Sequence, residues 1–233
     1  MEKGEEEKYN QSFSKEREKK MDQNKLAARR NLAETMIKNL AKRNMEGYFA
    51  ETKEEAVQLI MEKFLTAGKT VCFGGSMSLT ESGLMAAIAE SDCVLYDRTK
   101  AVTPEELKDM KAKMINSDYF LMSTNAITVE GELINIDGRG NRVSYLCYGP
   151  EHVIILAGMN KVVSTVEDGF RRVRDIASPP NTVRLNKNTP CAETGRCGDC
   201  YNEDCICSQI VVTRRSGEKN RIKVVLVAEE LGY

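Results

Sequence analysis

The amino-acid sequence predicts an α/β fold with a mostly parallel main sheet and a smaller mixed or antiparallel sheet. Two observations predict it. Between Thr52 and Met122, stretches with apolar residues at helical spacing alternate with short apolar runs of strand type, the pattern of βαβ units with helices on both faces of a sheet. After Asn125 the strand-like runs crowd together with glycine-rich turns between them, leaving no room for crossover helices, so that part forms a small sheet at one edge of the main one.

Taken in order, residues 1–24 mix Glu, Lys, Gln and Ser with almost no apolar content. Such a segment cannot bury enough surface to offset the entropy of ordering, and a flexible charged tail or frayed helix is expected. The rest, 25–233, reads as one domain. Its N-terminal helix, within 25–46, carries Leu26, Leu32, Met36, Ile37 and Leu40 at helical spacing and runs to about Asn44, with Gly47 as its stop. That apolar stripe can pack on its own domain or on a second copy, so a homodimer is one expectation. Thr52 to Ala67 is helical, entered by a capping box of Thr52 and Glu55 and closed by Gly68. A strand at Thr70–Phe73, a helix at Leu79–Glu90 and a strand at Cys93–Tyr96 follow. Then come a helix at Pro104–Ile115 entered through Thr103 and a strand at Tyr119–Met122. The crowded section holds strands at Ala126–Val129, Leu133–Ile136, Val143–Tyr148 and Val153–Ala157. A helix at Val163–Ile176, closed by Ser178, Pro179 and Pro180, leads to terminal strands at Ile210–Thr213 and Val224–Val227. No internal repeat is present.

The 233 residues suit a single core, and a formal net charge of -1 gives no general reason to expect nucleic acid. No apolar run approaches the roughly 18 residues of a membrane span, and Met1–Arg30 lacks the apolar segment of a signal peptide. A cytoplasmic protein is expected. Cys72, Cys93 and Cys147 sit singly in strand-like runs and read as buried, reduced thiols.

Three constellations can carry chemistry. In the first, a strand runs into Gly74, Gly75, Ser76 and Ser78 at the start of a helix. Glycines admit a ligand close to backbone, and free amides and hydroxyls attract phosphate or carboxylate. The alternative is a purely structural turn. No Lys follows in the Walker A position. Glu81 lies one helical turn on, facing the same pocket or solvent. In the second, Thr124 and Asn125 end one strand, while Asp137, Arg139, Asn141 and Arg142 end another. The arginines can clamp a carboxylate or phosphate, and Asp137 or Glu130 can move a proton. A hairpin with turn hydrogen bonds is the alternative. In the third, Cys191, Cys197, Cys200, Cys205 and Cys207 crowd a loop over residues 189–208. Four thiolates can hold one Zn²⁺ or one iron–sulfur cluster, while a thiol switch or free thiols remain as alternatives. His152 reads as structural, and no flavin or nicotinamide fingerprint appears.

These segments, in this order, resemble the LUD family, which includes lactate-utilisation protein C. The resemblance runs through Gly74-Gly75-Ser76-Met77-Ser78-Leu79, Thr124–Thr128, Asp137-Gly138, Gly140-Asn141-Arg142 and Tyr148-Gly149-Pro150. It continues through Gly158–Val163, Arg171–Arg174, Thr189-Pro190-Cys191, Gly195-Arg196-Cys197 and Leu231-Gly232, covering about residues 30–233. It implies a three-layer α/β sandwich of the type shared by glucosamine-phosphate deaminases, ribose-phosphate isomerases and CoA transferases. It also implies a ligand-facing loop at Gly74, Gly75, Ser76 and Ser78, with Asn125 and Asp137 as neighbours. Family members usually have a four-cysteine pattern matching Cys191, Cys197, Cys200 and Cys207, and Cys205 departs from it as an alternative ligand. By analogy alone, the resemblance implies work beside iron–sulfur partner proteins in oxidising L-lactate to pyruvate.

Three readings follow. The first is a subunit or accessory factor of organic-acid utilisation, binding an anionic small molecule at the glycine–serine loop and a metal at the cysteines. The second is a self-sufficient isomerase or acyl-transferase acting on a phosphorylated or carboxylated metabolite, with Glu81, Glu130 or Asp137 as base or nucleophile. The third is a redox or metal sensor centred on the cysteine loop.

Overall fold

A computed structural model describes residues 21–233. Most of the expected tail, residues 1–20, lies outside the described residues, and its last positions already enter a helix. Asp22 caps α1 (Gln23–Lys42) by accepting from the backbone N–H groups of Asn24 and Lys25 at 3.0 Å, which supplies partners that the first helical turn cannot. The stripe of α1 is used within its own chain, burying Ala33, Met36 and Leu40 in the core. The helix ends at Lys42, the chain turns at Asn44 with φ 59°, and Gly47 belongs instead to an unexpected strand, β1 (Glu46–Ala50). A Cβ at Gly47 would lie 2.8 Å from Ile37 Cγ1, so glycine lets α1 pack down on β1.

Helix α2 (Lys53–Lys63) is capped by Thr52 as expected. The reciprocal contact slips by one residue, with Glu55 accepting from the N–H of Glu51 rather than of Thr52. Strands β2 (Thr70–Phe73), β3 (Val94–Tyr96) and β4 (Tyr119–Met122) match the reading, as does α5 (Pro104–Ile115) with its complete Thr103–Glu106 capping box. The single helix expected at Leu79–Glu90 is two, α3 (Met77–Glu81) and α4 (Leu84–Ala89), because Gly83 takes φ +81° between them.

Then come β5 (Ala126–Thr128) and β6 (Leu133–Asp137), both as expected. The strand expected at Val143–Tyr148 is a helix, α6 (Asn141–Cys147). Its first turn is set by the Asp137 carboxylate, which accepts from the N–H groups of Arg142 and Val143 at 2.9 and 3.3 Å, a contact that strand propensity in a short apolar run does not reveal. After β7 (His152–Gly158) the expected helix at Val163–Ile176 begins with a strand, β8 (Val162–Val163), and only then becomes α7 (Val166–Arg172). It does not close at the prolines: a π-helical turn (Val173–Ala177) runs into α8 (Ser178–Arg184). Pro179 and Pro180 occupy the first turn of α8, so their missing N–H groups fall at the junction of the π-helical turn with the α-helix. Helix α9 (Pro190–Thr194) and strands β9 (Gln209–Thr213) and β10 (Ile222–Val227) complete the described chain.

The main sheet has the order β1-β10-β7-β4-β2-β3 and is parallel throughout. Alternate residues feed two cores. Phe120, Met122, Ile155 and Leu226 pack with α1, α5 and α6 on one face. Leu121, Ile154, Leu156 and Val225 pack with α2, α3 and α4 on the other. This is the expected three-layer sandwich. The smaller sheet, β8-β5-β6-β9, is mixed, with β5 and β8 parallel and the β5–β6 and β6–β9 pairs antiparallel. It carries its own small core of Ala126, Ile134, Ile136 and Val173. No described helix is long and apolar enough to cross a membrane.

The end of β7 is held against the C-terminal segment at Gly158, where a Cβ would lie 2.6 Å from both Glu229 O and Leu231 N. Backbone cannot give way there as a side chain can. Gly158→Ala is therefore expected to destabilise the protein by about 1–3 kcal/mol, read as a lower urea midpoint at unchanged slope.

Candidate functional site

In parallel sheets ligands bind beyond the carboxyl ends of the strands, where loops diverge. Here those ends converge on one cleft of about 380 Å³. The end of β2 contributes Gly75 and Ser76, β4 contributes Ser123, Thr124 and Asn125, β7 contributes Lys161, and the segment after β10 contributes Tyr233. The β6–α6 turn adds Asp137, Arg139, Asn141 and Arg142, α8 adds Ser178 and Arg184, and Arg98 closes one side. The two sheets thus meet at one opening.

Most of the expected ligand residues are brought together, but in different roles. Gly75 has open space where a Cβ would be, whereas Gly74 lies under Arg142, with a Cβ position 3.0 Å from its Cγ. Ser76 caps the five-residue α3, its Oγ accepting from the N–H of Leu79 at 3.4 Å. Ser78 is buried outside the cleft and donates to Leu231 O at 3.1 Å, holding the C-terminal segment. The Thr124 hydroxyl is 2.8 Å from Ala126 O and 3.1 Å from Ile134 O.

Arg142 is the centre of the polar architecture, with every N–H engaged. Nε donates to Asp137 Oδ1 at 3.0 Å, and Nη1 to Ser123 O and Asn135 Oδ1 at 2.9 and 2.7 Å. Nη2 donates to Asn125 Oδ1 and Ile136 O at 2.6 and 3.2 Å. Asn125 Oδ1 also accepts from the N–H of Ile136. This guanidinium ties β4, β6 and α6 together and leaves no donor for a ligand. Asp137 is equally committed, between Arg142 and the start of α6.

The other nominated acids lie elsewhere. Glu81 is exposed at the end of α3 and accepts from Gly232 N–H at 2.6 Å. Glu130 lies in a separate cavity with Lys42, Arg43 and Arg214.

The residue that the sequence reading passed over is Lys161. It follows β7, is only 4% exposed and lines the cleft. Its Nζ has no hydrogen-bonding or ion-pairing partner among the described residues. Burial, then the positive fields of Arg172 and Arg142, lower its pKa from 10.5 to about 7, against a weaker opposing effect of Glu81. Arg172 fixes the neighbourhood by donating from Nε to Asn160 O at 2.9 Å and from Nη1 to Asn125 O at 2.6 Å.

Charge in the cleft is one-sided. Lys187 is paired with Asp204 at 2.9 Å and Arg142 with Asp137. Arg98, Arg139 and Arg184 make no ion pair among the described residues, although Arg184 donates to Asn181 Oδ1 at 2.7 Å. Arg98 reaches Asn141, whose side-chain oxygen accepts from Nη1 at 2.6 Å in the amide orientation that satisfies both ends.

The cysteine segment forms part of the wall, since Ile206 lines the cleft and its backbone packs on Gly138. Cys207 Sγ is 3.4 Å from Ser178 Oγ, and Cys191 Sγ is 3.3 Å from Thr189 Oγ1. Burial pushes the Cys205 thiol up to about 11. Among the described residues, no three His, Cys, Asp or Glu side chains converge into a metal-holding group. As placed, Cys191, Cys197, Cys200, Cys205 and Cys207 are not drawn into one tetrahedral set, although Cys207 lies within electrostatic reach of Cys191, Cys197 and Cys205, and Cys205 within that of Cys200. Of the isolated cysteines, Cys72 is buried as expected, but Cys93 is half-buried and Cys147 exposed.

The LUD domain family model matches residues 33–227, and the chain belongs to that family. A solved structure of a DUF162 family protein from Deinococcus radiodurans is similar over 86% of this chain and 98% of that one, at 15% identity and a TM-score of 0.49. No curated protein matches the chain.

Proposed function

We propose that the cleft binds a small carboxylate, and that the protein serves organic-acid utilisation as a binding subunit or accessory factor, in keeping with the lactate-linked context of its family. The observation that carries this reading is Lys161, a buried cation-forming side chain with no partner, opening on a cleft with Arg98, Arg139 and Arg184. Among the other buried cations, Arg142 and Lys223 are paired with carboxylates and Arg172 and Arg221 donate to backbone carbonyls. An unpaired one at the strand ends is a site kept for a ligand. A phosphorylated metabolite offers the same charge, and inorganic phosphate is included in the test to tell the two apart.

The test is calorimetric titration with L-lactate, pyruvate and inorganic phosphate. The carboxylates should bind and weaken as salt rises. The double variant Arg139→Gln, Arg184→Gln should lose about tenfold or more in affinity, the scale of one or two charge-assisted hydrogen bonds. No carboxylate binding, or equal binding by the double variant, would overturn the reading. The isomerase or acyl-transferase alternative now needs a different base, since Asp137 is engaged and Glu81 and Glu130 do not line the cleft.

A further inference from the structure

Lys161 is also the nucleophile in the cleft that needs no activating partner, since the other lining amine, Lys187, is held in an ion pair with Asp204 at 2.9 Å. Ser76, Ser123, Thr124, Ser178 and Tyr233 present hydroxyls, but a hydroxyl attacks only with a base beside it. No histidine lines the cleft, and its one acid, Asp137, is held by Arg142 and the first turn of α6. No cysteine lines it either. An amine is nucleophilic as soon as it is neutral, and here desolvation and two neighbouring guanidiniums oppose its protonation.

We propose that Lys161 captures the carbonyl of a 2-oxo acid as an imine, with the ligand's carboxylate held by the unpaired arginines of the cleft. This rests on the carboxylate-binding reading and names the substrate class. The Nζ lone pair attacks the carbonyl carbon, forming a C–N bond, and one amine proton moves to the oxygen. The C–O bond of that carbinolamine then breaks, the oxygen leaves as water with the second amine proton, and C=N remains. Solvent protonates the imine. Nothing is oxidised or reduced, and hydrolysis reverses the step. The surroundings suit it: Lys161 is shielded from bulk water at 4% exposure yet faces the cleft, so water leaving the carbinolamine has a path out. Arg172, bonded to Asn160 O, keeps the backbone that carries Lys161 in place.

The test is reduction with borohydride in the presence of pyruvate, 2-oxobutyrate or 2-oxoglutarate, followed by intact mass and peptide mapping, with L-lactate and pyruvate titrated in parallel. The expected result is an adduct of the oxo acid less one oxygen, mapped to Lys161, for at least one of the three. Its yield should rise as the pH climbs through about 7, where the buried amine loses its proton, rather than near 10.5, where surface lysines do. Lys161→Arg, confirmed as folded by circular dichroism, has no amine that can lose its proton near neutral pH and should give no adduct, while carboxylate binding is read on the wild-type protein. Carboxylate binding without any Lys161 adduct would overturn the imine and leave the binding reading standing. An adduct spread over surface lysines, or unchanged in Lys161→Arg, would overturn it as well. Absence of binding by lactate and pyruvate alike would remove both.

Discussion

Replacing Lys161 with Met should make the protein more stable while weakening its hold on a carboxylate and abolishing imine formation. A methionine fills nearly the same space with a polarisable thioether and no charge, and Lys161 has no hydrogen bond to lose. The gain has a definite pH dependence. The folded-state pKa lies at about 7 against an ordinary 10.5. Between those values the unfolded chain holds a proton that the folded chain lacks, so wild-type stability rises with pH across that window. Below about 7 both states hold the proton and the penalty is constant and full. The variant escapes this penalty, so its advantage is greatest at and below neutral pH and disappears toward 10.5. At about 1.4 kcal/mol per unit, and allowing for relaxation around the charge, the advantage should be about 2–4 kcal/mol at neutral pH. Urea melts of both proteins at about pH 6 and about pH 9 decide it. A variant no more stable than wild type, or a gain equal at both pH values, would show that the amine is solvated in the folded protein. A site that is stabilised by removing its key residue has been kept for function.

The fold was legible in the sequence for reasons that the site was not. Tyr119–Met122, Val153–Ala157 and Val224–Val227 are unbroken apolar runs, as buried parallel strands covered on both faces tend to be. The Thr103–Glu106 box and Gly68 act within a few residues, where local chemistry decides. The failures came where a distant group decides. Helix α6 depends on Asp137, and the continuation through Pro179 depends on how the π-helical turn feeds α8. The same holds for the site. Ser76 and Asn125 were visible because they follow strands, whereas Lys161, in Gly158-Met159-Asn160-Lys161-Val162-Val163, reads as an ordinary solvated lysine. Arg172 and Tyr233, far along the chain, help to enclose it. One signal was available: a lysine three residues beyond a strand end, leading directly into Val162-Val163. Arg142 was recognised as a cation and misjudged as a free one, because its partners Ser123, Asn125 and Asn135 come from other strands.

That last point has the largest expected consequence for stability. Arg142→Leu should destabilise the protein by about 3–5 kcal/mol, the usual result of removing one partner of a buried pair. The apolar volume of leucine offers no compensation, because the groups left behind are polar. The Asp137 carboxylate, 9% exposed, would keep only the two N–H donors of α6. Asn135, whose amide nitrogen already has no partner, would lose the bond to its oxygen too. Arg142→Lys should recover only about a third of this, since an ammonium offers three donors from one point and cannot reach the five acceptors that the planar guanidinium spans. The pairwise part is isolated by a double-mutant cycle with Asp137→Asn, in which the second change should cost much less in the Arg142→Leu background than in wild type. Urea midpoints measure all four proteins. If Arg142→Lys were as stable as wild type, net charge near Asp137 would be all that matters. If Arg142→Leu cost less than about 1 kcal/mol, the five-bond network would not be closed in solution, and Arg142 would be free to meet a ligand after all.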